Sequence, residues 1–187
     1  MSHVPLHILA VCTGNICRSP AIERLLTARW PEPVIAASAG TRAVAGAPIA
    51  APMAALLDDA GVPSGGFAAR QLTKPLIDDA DLILTATTDH RSLVVDIEPR
   101  AVRRTFTLLE FARSVATYDL SGLAAAGTPQ RLAELIQHAR VARPRLRLGQ
   151  GHLNVPDPFR QSDEVYRDAF AMIAEAVSAI ARAFQAS

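Results

Sequence analysis

The stretch "ILAVCTGNICRSPAIERLL" at residues 8–26 decides the fold, because it carries the chain from the pattern of a strand into that of a helix. Its apolar start is typical of a short strand buried on both faces. Ser19 and Pro20 then indicate the beginning of a helix, since proline suits a first turn where no N–H partner is needed. Between these two elements stand the chain's two cysteines, Cys12 and Cys17.

Strand and helix patterns alternate along the rest of the chain. The alternation predicts an α/β fold in which right-handed crossovers connect the strands of a parallel sheet. Further strands are predicted at 34–40, at 80–87 and within 103–113, and helices at 48–60, 90–97, 129–141 and 162–186.

The length and charge of the chain indicate how many domains it has and which kinds of protein it resembles least. A length of 187 residues predicts one domain, residues 1–187. The 19 basic and 18 acidic side chains lack the basic excess that is typical of nucleic-acid-binding proteins. The sequence shows neither a secretory signal nor an uncharged apolar run of about 18 residues, the length that a membrane span needs. It therefore predicts a cytoplasmic globular protein whose thiols are reduced at rest.

The segment at about 117–152 differs from the alternating pattern. It contains "SGLAAAGTP", one predicted helix and then an arginine-rich run, "RVARPRLRLGQGH". Two interpretations stay open: a solvated surface excursion, or a docking patch for an acidic partner or substrate. The arginines concerned are Arg140, Arg143, Arg145 and Arg147.

The loop "CTGNICRS" at residues 12–19 has the features of an anion site. It lies at the carboxyl end of a strand, where open α/β sheets bind ligands, and at a helix N-terminus, where free N–H groups favour an anion. Gly14 and Asn15 tolerate the left-handed backbone conformations that a tight cradle needs. Such a field favours a cysteine thiolate, and the planar fork of Arg18 can hold two oxygens of one oxyanion. The loop is therefore interpreted as a nucleophile, a cradle and a clamp for a phosphate-like group.

Two simpler interpretations of the cysteines carry less weight. Cys12 and Cys17 could form half of a zinc site, but the chain has no further cysteine and no histidine beside the loop. They could also be inert core residues, but a core role leaves Gly14, Asn15 and Arg18 unexplained.

A phosphoryl-transfer nucleophile also needs an acid that protonates the leaving oxygen. In "NVPDPFRQSDEVY", at residues 154–166, Asp157 stands between two prolines that stiffen its loop. Phe159 can supply an apolar wall for an aromatic substrate. The alternative is that "PDP" is only a turn before the final helix, and the local pattern leaves both interpretations open.

Five pieces of the sequence together become recognisable. They are "VCTGNICRSP" (11–20), "SAGT" (38–41), "ARQLT" (69–73), "ADLIL" (80–84) and "DPFRQSDEVYRDAF" (157–170). In this order they resemble the low-molecular-weight protein tyrosine phosphatase family, bacterial type. The resemblance implies a three-layer, flavodoxin-like α/β fold whose four-stranded parallel sheet has the order 2-1-3-4, with no metal and no cofactor. It also makes the segment at 117–152 an extended insertion.

The resemblance implies a two-step mechanism. Cys12 attacks phosphorus and forms a cysteinyl-phosphate, while Arg18 and the loop N–H groups hold the oxygens. Asp157 protonates the departing phenol and then helps water to hydrolyse the intermediate. Ser19 stabilises the thiolate, and Asn15 and Ser38 fix the shape of the loop. The remaining loop positions that would bind phosphate are Thr13, Gly14, Ile16 and Cys17.

Two further implications concern regulation and partners. Cys17 matches a family cysteine that can form a reversible disulfide with the nucleophile, which gives the hypothesis of redox protection. The implied substrate is a phosphotyrosine protein, and bacterial relatives often act on autophosphorylating tyrosine kinases. Nothing in this sequence selects that partner.

Three other functions are alternatives to tyrosine phosphatase activity. Thioredoxin-coupled arsenate reductases need cysteines downstream of Cys17, which are absent here, so only a type that uses an external small thiol fits. Protein-arginine phosphatases of this family carry threonine at the position of Ile16, and an apolar residue there favours an aromatic ring. A non-catalytic phosphate-binding protein predicts damage to Cys12, Arg18 or Asp157, yet all three are present.

Overall fold

The computed structural model describes residues 5–30, 34–148 and 152–185. It confirms the predicted alternation of strands and helices. The strands are β1 (Leu6–Cys12), β2 (Val34–Gly40), β3 (Leu82–Thr85) and β4 (Thr105–Thr107). The helices are α1 (Arg18–Arg29), α2 (Ala51–Asp59), α3 (Lys74–Asp78), α4 (Thr88–Ile97), α5 (Leu108–Ala116), α6 (Pro129–Leu148) and α7 (Asp163–Gln185), with a 3₁₀ helix at Pro99–Arg103.

The four strands form one parallel sheet in the order β2-β1-β3-β4. Residues of β1 point alternately to two hydrophobic clusters, so that Ile8 lies in one and Leu9 in the other. The larger cluster packs the sheet against α1, α2, α5, α6 and α7, and the smaller one packs it against α3 and α4. The chain therefore has three layers, and the predicted α/β fold with strand order 2-1-3-4 is confirmed.

Helices α2, α3 and α6 differ from the sequence prediction. α2 begins at Ala51 rather than at residue 48. The Ala50 N–H donates to the Ile16 carbonyl (2.8 Å), and the backbone of Ala50, with a ψ of 133°, is not helical. The short helix α3 was missed, since five residues carry too little periodicity to identify a helix.

The helix predicted at 129–141 instead continues past Pro144 as α6. Arg143 lies one residue before this proline, and its Nε donates to Glu110 Oε1 (2.9 Å) while its Nη2 donates to the Thr105 carbonyl (2.6 Å). Its guanidinium also lies 4.3 Å from the centroid of the Phe106 ring. Proline removes one backbone hydrogen bond from the helix, and these tertiary contacts compensate for that loss in its last turns.

The arginine-rich run is therefore not a uniform surface feature. Arg143 is half-buried and helps to neutralise the buried Glu110 carboxylate, together with Arg91 Nη1 at 3.2 Å. Both sequence interpretations, solvated excursion and docking patch, are wrong for this residue. Outside the described residues lie the side chain of Arg147, residues 149–151 and Ala186.

Helix α6 packs on the larger hydrophobic cluster. Leu132, Leu135 and Ala139 of α6 are buried in it. Arg131 Nε donates to the Ala183 carbonyl (3.0 Å) near the end of α7. Across the described ranges, no helix has the length and apolar character that crossing a membrane requires.

Candidate active site

The loop from Cys12 to Arg18 turns its carbonyl groups outward. The carbonyls of Thr13 and Gly14 accept hydrogen bonds from the Arg42 N–H (2.9 Å) and the Val44 N–H (3.0 Å). In the described part of the chain, the N–H groups of residues 14–17 donate to no other group. Donors that converge at a strand end beside a helix N-terminus can cradle an anion.

Asn15 has the left-handed conformation that its place in the loop predicts, with a φ of 54°. Gly14 does not use the same conformational freedom, since its φ is not positive. A Cβ at Gly14 would meet Ile16 Cγ1 at 3.4 Å and Val44 Cγ2 at 3.7 Å, which are ordinary contacts. Asn15 alone therefore supplies the sharp turn, which an asparagine tolerates better than most side chains.

The Asn15 side chain connects the loop to its surroundings. Its Oδ1 accepts from the Arg70 backbone N–H (2.8 Å), which fixes the orientation of the amide. Its Nδ2 donates to Ser19 Oγ (2.9 Å) and to Ser38 Oγ (2.8 Å). Ser38 Oγ in turn donates to Glu23 Oε2 (2.5 Å). Asn15, Ser19 and Ser38 are all fully buried, so this network holds the loop in one shape.

The hydroxyl of Ser19 has two acceptors within reach. Ser19 Oγ accepts from Asn15, and its own proton can go to Cys12 Sγ at 3.0 Å or to the Ala39 carbonyl at 3.4 Å, of which the sulfur is the nearer. A hydroxyl that donates to sulfur stabilises the thiolate relative to the thiol. Burial raises the pKa of Glu23, and the hydrogen bond from Ser38 partly offsets that effect.

Arg18 connects the loop to the segment that precedes α7. Its Nη2 lies 2.8 Å from Asp157 Oδ2, and its Nη1 donates to the Val155 carbonyl (3.3 Å). The Arg18 side chain is buried, whereas that of Asp157 is 54% exposed. Arg18 Nε is buried without a hydrogen-bond partner in the described part of the chain. The Nε–H of Arg18 can therefore donate a hydrogen bond to a bound ligand.

These groups line a cleft of about 220 Å³. Its polar lining includes Cys12, Arg18 and Asp157, and Ile16 is part of its apolar lining. Phe159, 44% exposed, also lines this cleft. Two rim residues, Arg42 and Val44, were not predicted.

Cys17 differs from Cys12 in its surroundings, although both are buried free thiols. Cys17 Sγ lies 3.8 Å from the hydroxyl of Tyr166, on α7. Burial raises the pKa of Cys17 to about 11, against the effect of the Tyr166 hydrogen bond. Cys17 is therefore a neutral thiol near pH 7.

His90, in the first turn of α4, contacts the loop through Thr13. Its Nε2 lies 2.8 Å from Thr13 Oγ1, and its Nδ1 lies 2.8 Å from Thr87 Oγ1. Burial, together with the charge of Arg18, lowers the pKa of His90 to about 4. The imidazole is therefore neutral near pH 7.

Three polar residues around the site were missed from the sequence. Glu23 lies one turn after Ser19 on α1, and this spacing was a usable signal. Arg70 lies within the recognised "ARQLT" motif but was given no role. His90 follows β3, whose carboxyl end meets that of β1, so strand order could have indicated it. Among the described residues, no group of three or more His, Cys, Asp or Glu side chains could hold a metal ion.

A family model and individual relatives of this chain indicate the same protein family. A family model described as "Low molecular weight phosphotyrosine protein phosphatase" matches residues 7–122. The "Probable low molecular weight protein-tyrosine-phosphatase AmsI" of Erwinia amylovora is 45% identical over 92 residues, which are 49% of this chain. The matched stretch spans 63% of that relative, a little under two thirds of its length.

Solved structures match over more of the chain. The crystal structure of the Erwinia amylovora tyrosine phosphatase superposes with a TM-score of 0.71 and 26% identity, covering 95% of this chain and 92% of that one. The YwlE arginine phosphatase from Geobacillus stearothermophilus superposes with a TM-score of 0.70 and 29% identity, over the same shares. The structures that share this fold therefore include phosphatases with two different substrates.

Proposed function

The chain belongs to the low molecular weight phosphotyrosine protein phosphatase family, and we propose that it hydrolyses phosphotyrosine in proteins through a cysteinyl-phosphate. One observation carries this proposal. Cys12 lies in the same cleft as the Arg18–Asp157 pair, in a loop where the N–H groups of residues 14–17 have no partner among the described residues. A nucleophile, an anion cradle and an acid thus line one cleft of about 220 Å³.

In the first step, the Cys12 thiolate attacks phosphorus and the bond from phosphorus to the tyrosine oxygen breaks. Arg18 and the loop N–H groups hold the three equatorial oxygens, whose charge is greatest in the transition state. Asp157, protonated for this step, transfers its proton to the departing phenolate. The proximity of Arg18 and Asp157, 2.8 Å apart, supports a carboxyl group placed beside the bound phosphate.

In the second step, Asp157 as a carboxylate accepts a proton from water. The resulting hydroxide equivalent attacks the phosphorus, the P–S bond breaks, and inorganic phosphate leaves with the thiolate restored. Ser19 stabilises that thiolate as a leaving group through the contact of 3.0 Å. The roles of Asn15 and Ser38 are to fix the loop, and Thr13, Gly14, Ile16 and Cys17 complete the cradle.

Replacing Asp157 by alanine is expected to make the rate depend on the leaving group. Without the acid, kcat/KM for phenyl phosphate should fall by about 10²–10³-fold, because phenolate departs poorly without a proton. p-Nitrophenyl phosphate, whose leaving group is stable as an anion, should lose far less. Asp157→Asn serves as the isosteric control and should behave like the alanine variant. An equal loss on both substrates would mean that Asp157 is not the acid.

Protein-arginine phosphatase is the second candidate, because a structural relative with that activity covers most of the chain. The cleft walls favour tyrosine instead. Ile16, Val44 and Phe159 present apolar surface above the polar base, and an aromatic ring buries against such a surface. A guanidinium would lose hydration there without gaining a hydrogen bond from these three side chains.

The substitution Ile16→Thr tests this distinction. It should lower kcat/KM for a phosphotyrosine peptide by about 10-fold, the scale of losing apolar contact in a pocket. The ratio of phosphoarginine to phosphotyrosine hydrolysis should rise, since a hydroxyl can accept a guanidinium hydrogen bond. The measurement is the rate of hydrolysis of both substrates by Ile16→Thr and by the apolar control Ile16→Val. The idea fails if both activities fall together.

Location and partner follow from the same chemistry. The cytoplasm is the proposed location, because a reducing compartment keeps a thiol nucleophile active. The proposed partner is a phosphotyrosine protein, with an autophosphorylated bacterial tyrosine kinase as one substrate of that class. Reversible pairing of Cys12 with Cys17 is a further hypothesis, to be tested by mass spectrometry of the peroxide-treated protein.

The direct test of the proposed function is the unmodified chain assayed on three substrates. A phosphotyrosine peptide should be hydrolysed faster than a phosphoarginine peptide, and arsenate should not be reduced in the presence of a small thiol. Arsenate reduction without phosphatase activity would overturn the proposal in favour of a reductase.

A further inference from the structure

His90 connects two hydroxyl groups that belong to different parts of the fold. Its Nε2 contacts Thr13 Oγ1, in the nucleophile loop, and its Nδ1 contacts Thr87 Oγ1, at the start of α4. Thr87 Oγ1 also accepts the His90 backbone N–H (3.3 Å) and so caps the helix. The imidazole therefore joins the residue that follows Cys12 to a fixed helix end.

A neutral imidazole suits this position. One ring nitrogen donates and the other accepts, and a threonine hydroxyl can take either role. His90 is 6% exposed, and burial with the charge of Arg18 keeps its pKa near 4. Asp89 and Asp157, the other charged groups that act on the ring, oppose this shift without reversing it.

The same end of α4 also holds the loop that carries Asp157. The Thr88 N–H donates to Asn154 Oδ1 (2.9 Å), and the Val155 N–H donates to the Ala86 carbonyl (2.9 Å). The Val155 carbonyl accepts from Arg18. Residues 86–90 thus contact both the nucleophile loop and the acid loop.

We propose that the first turn of α4 positions these two loops relative to each other, with His90 holding the nucleophile loop through Thr13 and Asn154 holding the acid loop through the Thr88 N–H. The inference rests on the proposed phosphatase function, and it makes His90 and Asn154 positioning residues. Neither of them lines the cleft. Their effect is on where Cys12 and Asp157 stand when phosphorus is attacked.

Two isosteric substitutions separate the contacts of His90. His90→Gln places an amide near the Nε2 position, so it keeps a partner for Thr13. His90→Asn places an amide near the Nδ1 position, so it keeps a partner for Thr87 and loses Thr13. We expect kcat/KM for p-nitrophenyl phosphate to fall about 10- to 100-fold in His90→Asn, the scale of misplacing a reacting group by about 1 Å. His90→Gln should recover most of this loss.

A second variant checks that the effect passes through Thr13. Thr13→Val should lower kcat/KM about as much as His90→Asn, and the double variant should be no slower than either single one. Thermal unfolding of each variant controls for loss of the fold. Equal rates in His90→Gln and His90→Asn, or additive losses in the double variant, would overturn the role of His90.

Asn154 has a different expected signature. Asn154→Ala should slow phenyl phosphate more than p-nitrophenyl phosphate, because it displaces the acid, whereas His90→Asn should slow both alike. Asn154→Asp keeps an acceptor oxygen for the Thr88 N–H and should retain the unmodified rate ratio. A ratio unchanged in Asn154→Ala overturns the role of Asn154. If the unmodified chain hydrolyses neither ester, the proposed function itself has failed, which distinguishes the two outcomes.

Discussion

The variant Cys12→Ser is expected to lose hydrolysis of p-nitrophenyl phosphate, with kcat/KM lower by at least about 10⁴-fold. The physical reason is acidity. The hydroxyl of Ser19, 3.0 Å from the sulfur, and the N–H groups of the loop can stabilise a thiolate. The same contacts are too weak to ionise an alcohol at neutral pH. p-Nitrophenyl phosphate needs little help from an acid, so the loss measures the nucleophile alone.

The matched control is Cys17→Ser, the same substitution in the same loop. Cys17 contributes to the cradle through its backbone N–H, whereas its thiol has a pKa of about 11 and contacts Tyr166, so replacing the thiol should leave most of the rate intact. Phosphate binding, measured by calorimetry, should persist in Cys12→Ser because Arg18 and the cradle remain. A Cys12→Ser protein as active as the unmodified chain, or a Cys17→Ser protein as inactive as Cys12→Ser, would contradict the assignment of the nucleophile.

The persistence of binding without turnover makes Cys12→Ser a trap for substrates. Proteins retained on the immobilised variant and released by phosphate are candidates for the physiological substrate. Retention should require phosphotyrosine, so prior treatment of the lysate with an unrelated phosphatase is the control.

The sequence could predict those parts of the molecule that are local along the chain. Strand β2 occurs at the predicted residues, because an apolar run that ends in a glycine turn is a complete local signal. The prediction for helix α6 is too short, because a proline such as Pro144 normally ends a helix when only the neighbouring sequence is considered. In the structure, the contacts of Arg143 with Glu110 and Thr105 stabilise the helix beyond that point. That stabilisation depends on residues more than 30 positions away, which a window of sequence does not contain.

The site divides in the same way. The nucleophile loop is contiguous, so Cys12 and Arg18 could be found by their spacing and placement. The supporting contacts from Glu23, Arg70 and His90 join residues 15, 55 and 77 positions apart. Polar residues of these types are common on surfaces, so helix spacing and strand order make Glu23 and His90 candidates, and the packing of the chain shows that all three residues support the loop. Asp157 is a candidate from the sequence because two prolines flank it, but only the structure shows that it lies 2.8 Å from Arg18.

The substitution Arg18→Lys is expected to lower kcat/KM by about 10³-fold, although it keeps the charge. Arg18 uses Nη2 for Asp157 and Nη1 for the Val155 carbonyl, and its buried Nε has no hydrogen-bond partner among the described residues. A guanidinium can therefore grip two phosphate oxygens in one plane while staying attached to the acid loop. A lysine ammonium is a point charge on a flexible stem, and it can satisfy only one of these sets of contacts at a time.

The loss should appear in kcat as well as in phosphate affinity, because the clamp is tightest when charge builds on the equatorial oxygens in the transition state. Arg24→Lys is the matched control: it makes the same change on the same helix, where the guanidinium donates to the Gly65 carbonyl and lies over the Phe67 ring. That variant should keep the unmodified rate. Steady-state kinetics on p-nitrophenyl phosphate and calorimetry with inorganic phosphate measure both effects. A rate for Arg18→Lys within about 3-fold of the unmodified chain would show that charge alone suffices, since a lost bidentate contact costs more than that.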